Sequence, residues 1–539
     1  EWAATGTPQN WMTEYDYQLM KQSHANFIRP MHVAPRKHMV ESADRFGIIL
    51  ACPAGNGEGD DPTDTEQGRN RWDQRLRVMR AGTIYFRNNP SVFFWEASNS
   101  GISDEHMQDM IAVRDRWDPH GGRLSGTRSS NEEDIPSMEY GSTMDGIDRS
   151  TNIPLWDAEY ARQECPRRVW DAYTPVLDPD AGETVLGGYV SIVSEFHQTE
   201  TELGTGNRIA SYPDMDFRQN SMEDHALANL YKYWDRYALS AFVQPEEDRL
   251  DRGIMVGGAK IIFADSNSHG RMKDTEVARV TGALDAVRLP KQTYYALGVA
   301  HNPDPQVHII GHWSYPEETQ KTVYVVSNTD SVSLATYDEG GNLIEDYGLG
   351  VRDDQASKIN HYVFRFDAVS WQPGRIAATG YDEAGAEVAA HEHVTVGPAV
   401  ALRLTPLVGP QGFFADGGDI AMFDVEAVDA EGRRVVTDEA RVDFTYSGEG
   451  QFLGGYNSGI LLSTYNDFLN TEGGINRVFV RSTRTAGDFT LTVTRDGLES
   501  DTVTISSQPF PVDANGLSRV FSQRYEVALP AQEPPPVPD

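Results

Sequence analysis

Four stretches of this chain end a short apolar run in side chains suited to acid–base or nucleophilic chemistry. Asn26-Phe27-Ile28-Arg29-Pro30-Met31-His32 ends in an arginine and a histidine. Val92-Phe93-Phe94-Trp95-Glu96-Ala97-Ser98-Asn99-Ser100 carries a carboxylate inside the run, with an amide and a hydroxyl at its end. Pro154-Leu155-Trp156-Asp157-Ala158-Glu159-Tyr160 closes on a second glutamate, and the run Gly258–Ala264 is followed by Asp265. A carboxylate among apolar residues has two physical readings. It is a proton-transfer or nucleophilic group whose ionisation the surroundings tune, or it is half of a buried ion pair. For Glu96 both readings stand, with Arg29 as the natural partner in the second. Other chemistries are not signalled: there is no HExxH, no P-loop and no Gly-rich dinucleotide fingerprint, and no cofactor is implied. Cys52 and Cys165 form neither a disulfide framework nor a CxxC metal pattern. His391-Glu392-His393 places two histidines on one strand face, read here as solvent-facing rather than as a metal site.

The elements that must position these groups alternate. Helical spacing covers Thr13–His24, Pro35–Phe46, Trp72–Phe86, Asp104–Trp117 and Glu223–Phe242, with the apolar runs between them. Strand–helix repetition predicts a parallel sheet with helical crossovers, strands buried on both faces, and chemistry just past the strand ends. After Pro303–Pro305 the pattern changes to short alternating strands separated by turns such as Glu339-Gly340-Gly341-Asn342 and Asp429-Ala430-Glu431-Gly432. Two stretches of this kind read as β-sandwiches. Pro530–Asp539 reads as an exposed proline-rich tail.

With 539 residues the chain exceeds one hydrophobic core. It carries 81 acidic against 46 basic residues, a net charge of −35. Such a surface repels phosphate backbones and excludes nucleic acid as a partner class. No run approaches the roughly 20 apolar residues of a membrane helix, so no membrane partner is expected.

Together the motifs resemble glycoside hydrolase family 2. Asn88-Asn89-Pro90-Ser91-Val92-Phe93-Phe94-Trp95 leading to Asn99 is similar to that family's fourth barrel strand, which ends in Asn-Glu. Leu155-Trp156-Asp157-Ala158-Glu159-Tyr160 is similar to its seventh strand, and Asn26 to His32 to its second. The resemblance implies a (β/α)8 TIM barrel followed by two β-sandwich domains. It places the barrel at 1–302, an immunoglobulin-like sandwich at 303–398, an accessory sandwich at 399–509 and an extension at 510–539. It implies Glu159 as nucleophile of a retaining glycosidase, Arg29 beside it, Asn99 on the sugar 2-hydroxyl, and His32, Tyr140 and Asp265 as further substrate contacts. Trp95, Trp156 and Trp170 are available to stack on a sugar, with barrel packing the stronger reading for Trp95.

The general acid/base is where this chain departs from the family, because position 100 is Ser and not Glu. An alcohol does not protonate a leaving glycosidic oxygen near neutral pH, whereas a carboxyl about 5–5.5 Å from the nucleophile does. Either Ser100 disables the enzyme, or the acid has moved to Glu96 or Glu139, or the strand register is displaced. The leading expectation is a retaining exo-β-glycosidase acting on oligosaccharides, with β-galactosidase favoured by family frequency. β-Glucuronidase, β-mannosidase and a non-catalytic carbohydrate-binding protein are the rivals. Glu1-Trp2-Ala3 resembles the loop after the first barrel strand. That strand, a sugar-binding domain and an immunoglobulin-like domain are therefore expected upstream. A periplasmic or secreted location is implied, and assembly into a homo-oligomer is left open.

Overall fold

A computed structural model describes residues 2–5, 9–30, 33–53, 61–99, 101–127, 138–140, 155–160, 165–178, 183–186, 221–231, 255–260, 262–266, 280–352, 362–457 and 463–512. Contacts divide the chain into two compact units, one of 16–162 with 231–261, the other of 1–15, 163–230 and 262–539.

The first unit is α/β. Helix α1 (Asn10–Gln22), which enters this unit at Asp16, leads into β1 (Phe27–Ile28), α2 (Lys37–Phe46) into β2 (Ile49–Pro53), α3 (Glu66–Phe86) into β3 (Val92–Ser98), and α4 (Asp104–Trp117) into β4 (Leu124–Thr127). The helix ends are written in the sequence. Gly47 stops α2 at φ 68°, donating its N–H to Ala43. Thr65 caps α3 by accepting from Gly68, and Ser103 caps α4 by accepting from His106. The four strands form one parallel sheet in chain order. A second parallel sheet joins β5 (Met138–Tyr140), β6 (Leu155–Tyr160) and β9 (Met255–Lys260); the hairpin β7 (Pro175–Asp178) and β8 (Glu183–Leu186), which precedes β9 in the chain, belongs to the other unit. The expected strand Gly258–Ala264 is therefore displaced: pairing with β6 runs from Met255 to Lys260, and Asp265 lies beyond it.

The second unit is mostly β. After the helix Gln292–His301, strands β10 (Val307–Ile309), β11 (Gln320–Ser327), β12 (Ser331–Tyr337), β13 (Leu343–Leu349), β14 (Val351–Arg352), β15 (Tyr362–Ser370), β16 (Arg375–Tyr381) and β17 (Glu387–Val394) form two antiparallel sheets, ordered β10-β11-β15-β14 and β13-β12-β16-β17. Their inward residues share one core, with Trp313, Val325, Leu334, Phe364 and Ile376 at its centre. Alternation of period two puts Val325, Leu334, Phe364 and Ile376 on one face of their strands, and Trp313 comes from the segment between β10 and β11.

A second pair of sheets follows the same logic. It comprises β18 (Ala401–Leu407), β19 (Phe413–Ala415), β20 (Ile420–Val428), β21 (Arg441–Gly448), β22 (Gly450–Gly455), β23 (Phe468–Asn470), β24 (Ile475–Ser482), β25 (Asp488–Thr494) and β26 (Asp501–Pro509). Phe423, Phe444, Val478 and Phe489 fill its core. The turn at Asp429–Gly432 forms as expected: Asp429 accepts from Glu431 and Arg433, and Gly432 takes φ 76°. The 530–539 tail lies outside the described residues.

His391 and His393 correct the sequence reading. Both are buried, not solvent-facing. Strand alternation puts them on one face but does not say which face is covered. Here β10 and the helix Gln292–His301 cover it: Ile309 donates its N–H to His391 Nδ1 (3.1 Å), His393 Nε2 bonds the Ile309 carbonyl (3.0 Å), and His308 Nε2 bonds Gln292 (2.8 Å). Among the described residues, no helix is long and apolar enough to cross a membrane.

Candidate active site

Three of the expected site residues meet. Arg29 follows β1 directly, while Glu96 lies on β3 and Asn99 just past it. Arg29 Nε donates to Glu96 Oε2 (2.8 Å), Nη2 donates to Glu96 Oε1, and Nη2 also donates to Asn99 Oδ1 (2.9 Å). The pair is buried, with side chains 2% and 1% exposed. Phe27, Ala51 and Phe94 of the same sheet pack together. Charges this deep persist only when paired and hydrogen-bonded, so Glu96 is the fixed partner of Arg29. This is the contact that the ion-pair reading of Glu96 expects.

Backbone register brings the three residues together. Opposite β4, Glu96 pairs with Gly126 and Ser98 with Thr127, so β3 carries one extra residue at Ala97. The bulge carbonyl accepts from Arg75 Nη2 of α3 (3.4 Å), and Arg75 pairs with Asp61. Arg75 was not anticipated. Its signal was a charged residue on the buried stripe Gly68, Trp72, Arg75, Met79 of an otherwise amphipathic helix. Strand β6 repeats the irregularity: Glu139 pairs with Asp157 and Tyr140 with Glu159, which leaves Ala158 as the extra residue. Glu159 and Tyr140 thus occupy paired backbone positions at the ends of β6 and β5. Ser100 and His32 lie outside the described residues.

Trp95 is fully buried and donates Nε1 to Asp118 (3.0 Å) on the face opposite Glu96, which makes it a packing residue. Cys52, level with Trp95, is no nucleophile, because burial pushes its thiol up to about 12 and the nearby Glu96 charge adds to this.

Asp265 belongs to the second unit and has partners other than those expected of a substrate contact. It is 2% exposed, and its Oδ1 accepts from Lys291 Nζ (2.8 Å) and the Gly282 N–H (2.7 Å). Burial pushes its carboxyl up to about 7 against the pull of Lys291. In the same unit Cys165–Thr174 is fastened on many sides. Arg167 bonds Asp285 and the carbonyls of Glu472 and Ile475, and Trp170 donates to the Val436 carbonyl (2.8 Å). Asp171 accepts from Lys321 (2.6 Å) and Tyr315 (2.7 Å), and Lys321 also holds Glu223 (2.7 Å). Burial alone would raise the Asp171 carboxyl, but Lys321 and His312 hold it far below the usual range, while burial pushes Glu223 up to about 7. Trp170 is packed here, 5% exposed, and not offered to a sugar.

Comparison with known proteins gives a consistent picture. Residues 408–504 match the model of the glycoside hydrolase family 2 C-terminal domain 5, and residues 318–389 match a domain of unknown function, DUF4982. A β-glucuronidase of Formosa agariphila is 35% identical over 99% of this chain and 49% of its own length. A β-galactosidase of Bacteroides ovatus is 21% identical over 92% of this chain and 59% of its own. The chain thus spans about half the length of these curated relatives. Among solved structures, a β-glucuronidase from glycoside hydrolase family 2 superposes with TM-score 0.80 at 33% identity, covering 100% of this chain and 51% of that one. A β-glycosidase from Bacteroides vulgatus superposes with TM-score 0.67 at 16% identity, covering 93% and 62%, a likeness of fold alone.

Proposed function

We propose that this chain, which belongs to glycoside hydrolase family 2, carries the catalytic region of a retaining exo-β-glycosidase that releases terminal β-linked glucuronic acid. One observation carries the choice of sugar: the 35% identity to a β-glucuronidase extends over 99% of the chain. Galactose, favoured by family frequency alone, becomes the second reading, supported by a relative at 21% identity. The two parallel sheets are taken as parts of one (β/α)8 barrel, with the sandwiches downstream.

In this reading Glu159 attacks the anomeric carbon and water then hydrolyses the glycosyl-enzyme. Asn99 holds the 2-hydroxyl. Arg29 carries positive charge to the site, and the Glu96 carboxylate pins that charge in place. With Glu96 committed to Arg29, the leaving-group proton falls to Glu139 near the tip of β5, one strand from Glu159. A uronate carboxylate calls for a basic clamp, and a panel of aryl β-glycosides tests for one. The glucuronide is expected to be turned over fastest by the full-length protein, and Glu159→Ala to abolish turnover. A faster galactoside would overturn the sugar assignment; unchanged turnover in Glu159→Ala would overturn the nucleophile.

A further inference from the structure

Glu96 on β3 and Asn99 just past its end stand three residues apart, yet both reach the same guanidinium. In a regular strand that separation points side chains to opposite faces. The extra residue at Ala97 removes the opposition, and Arg75 holds the bulge from the α3 side. Arg29 then meets Glu96 with two donors in one plane and uses Nη2 again toward Asn99 Oδ1. A guanidinium held in this fork cannot turn without losing a bond. The direction in which Nη2 meets Asn99 is therefore set by Glu96. Accepting at Oδ1 fixes which end of the carboxamide faces the arginine and turns the Nδ2 end away from it.

We infer that Glu96 is a positioning residue: through Arg29 it orients the Asn99 carboxamide so that its N–H2 end donates to a hydroxyl oxygen of the substrate next to the anomeric centre. This rests on the glycosidase reading of the site. Glu96 touches no reacting atom. Its part is to prevent the amide from rotating and offering an acceptor where a donor is needed.

The test compares aryl β-glycosides of the preferred sugar with their 2-deoxy counterparts, using the full-length protein. Glu96→Gln keeps the size of the side chain but loses the charged fork. It is expected to lower kcat/KM at least about tenfold on the 2-hydroxy substrate and less than about threefold on the 2-deoxy one. The double variant Glu96→Gln/Asn99→Ala is expected to lose no more than Asn99→Ala alone. A general structural role would lower both substrates alike and make the two losses multiply; either result overturns the inference. A crystal structure of Glu96→Gln gives a readout independent of turnover. The Asn99 carboxamide is expected to leave its contact with Arg29, and an unchanged contact overturns the inference. If the wild-type protein turns over neither substrate, the glycosidase reading fails separately, and the crystal structure still decides whether Glu96 sets Asn99.

Discussion

Replacing His308 by Gln should make this protein more resistant to acid than the wild type. His308 lies against His391 and His393 of β17, with ring centroids 4.8 and 6.4 Å away, and stacks on Tyr295 of the helix Gln292–His301 at 5.1 Å. Burial first, and the His393 ring second, lower its pKa from 6.5 to about 3. His393 is lowered to about 4 by burial, and His391 well below its ordinary value by burial and the other two rings. The unfolded chain therefore takes up protons that the folded chain refuses. The stability from neutral rings is whole above about pH 6.5 and drains as pH falls toward 3. For one ring with these two values the loss is about 1 kcal/mol at pH 5.5 and about 3 kcal/mol at pH 4.5. Gln keeps a hydrogen-bonding side chain for Gln292 and does not titrate. Burial-raised carboxylates such as Asp265 and Glu223 work in the opposite direction over this range, but they are common to both proteins and cancel in the difference. Urea unfolding followed by peptide-resolved hydrogen exchange over 307–326 and 387–394 measures that difference. A gap between the two proteins that stays constant from pH 7.5 to 4.5 would refute this role of His308.

Two other perturbations address separate parts of the chain. Lys321→Met strips the cation from the buried Asp171 and the half-buried Glu223 and is expected to cost roughly 3–5 kcal/mol in urea denaturation; a loss under about 1 kcal/mol would mean that water screens the cluster. Ser100→Glu restores the carboxyl that the strand motif otherwise ends in. With Glu139 as the acid, it is expected to change kcat by less than about threefold on alkyl glycosides, which need acid assistance, and on activated aryl glycosides alike. A gain of about tenfold or more confined to alkyl glycosides would overturn the assignment of the acid to Glu139.

Much of the α/β unit was legible because its signals are local. Gly47 and Ser103 mark helix ends by backbone chemistry that depends on a few neighbouring residues, whereas α3 starts after Thr65, six residues before the expected start at Trp72. The strands of the later antiparallel sheets show through two-residue alternation. Long-range facts were harder. Arg29 and Glu96 lie 67 positions apart, and sequence supplied their pairing only as one of two readings. The bulges at Ala97 and Ala158 leave no composition signal, since neither uses glycine or proline. His391 and His393 were placed on one face correctly, but the covering element, β10, lies some 80 residues upstream. The stretch Cys165–Thr174, polar and without periodicity, gave no hint of its many fastenings. Its partners come from segments up to 308 residues away.

Those fastenings bear on how such chains can be recombined. Asp171 is charged, buried and satisfied by Lys321 and Tyr315, and Arg167, paired with Asp285, also donates to the carbonyls of Glu472 and Ile475. Swapping the first pair of sheets for a foreign one, as modular engineering invites, would strand a naked carboxylate at Asp171, and swapping the second would take two acceptors from Arg167, unless the replacement brought its own groups to the same spot.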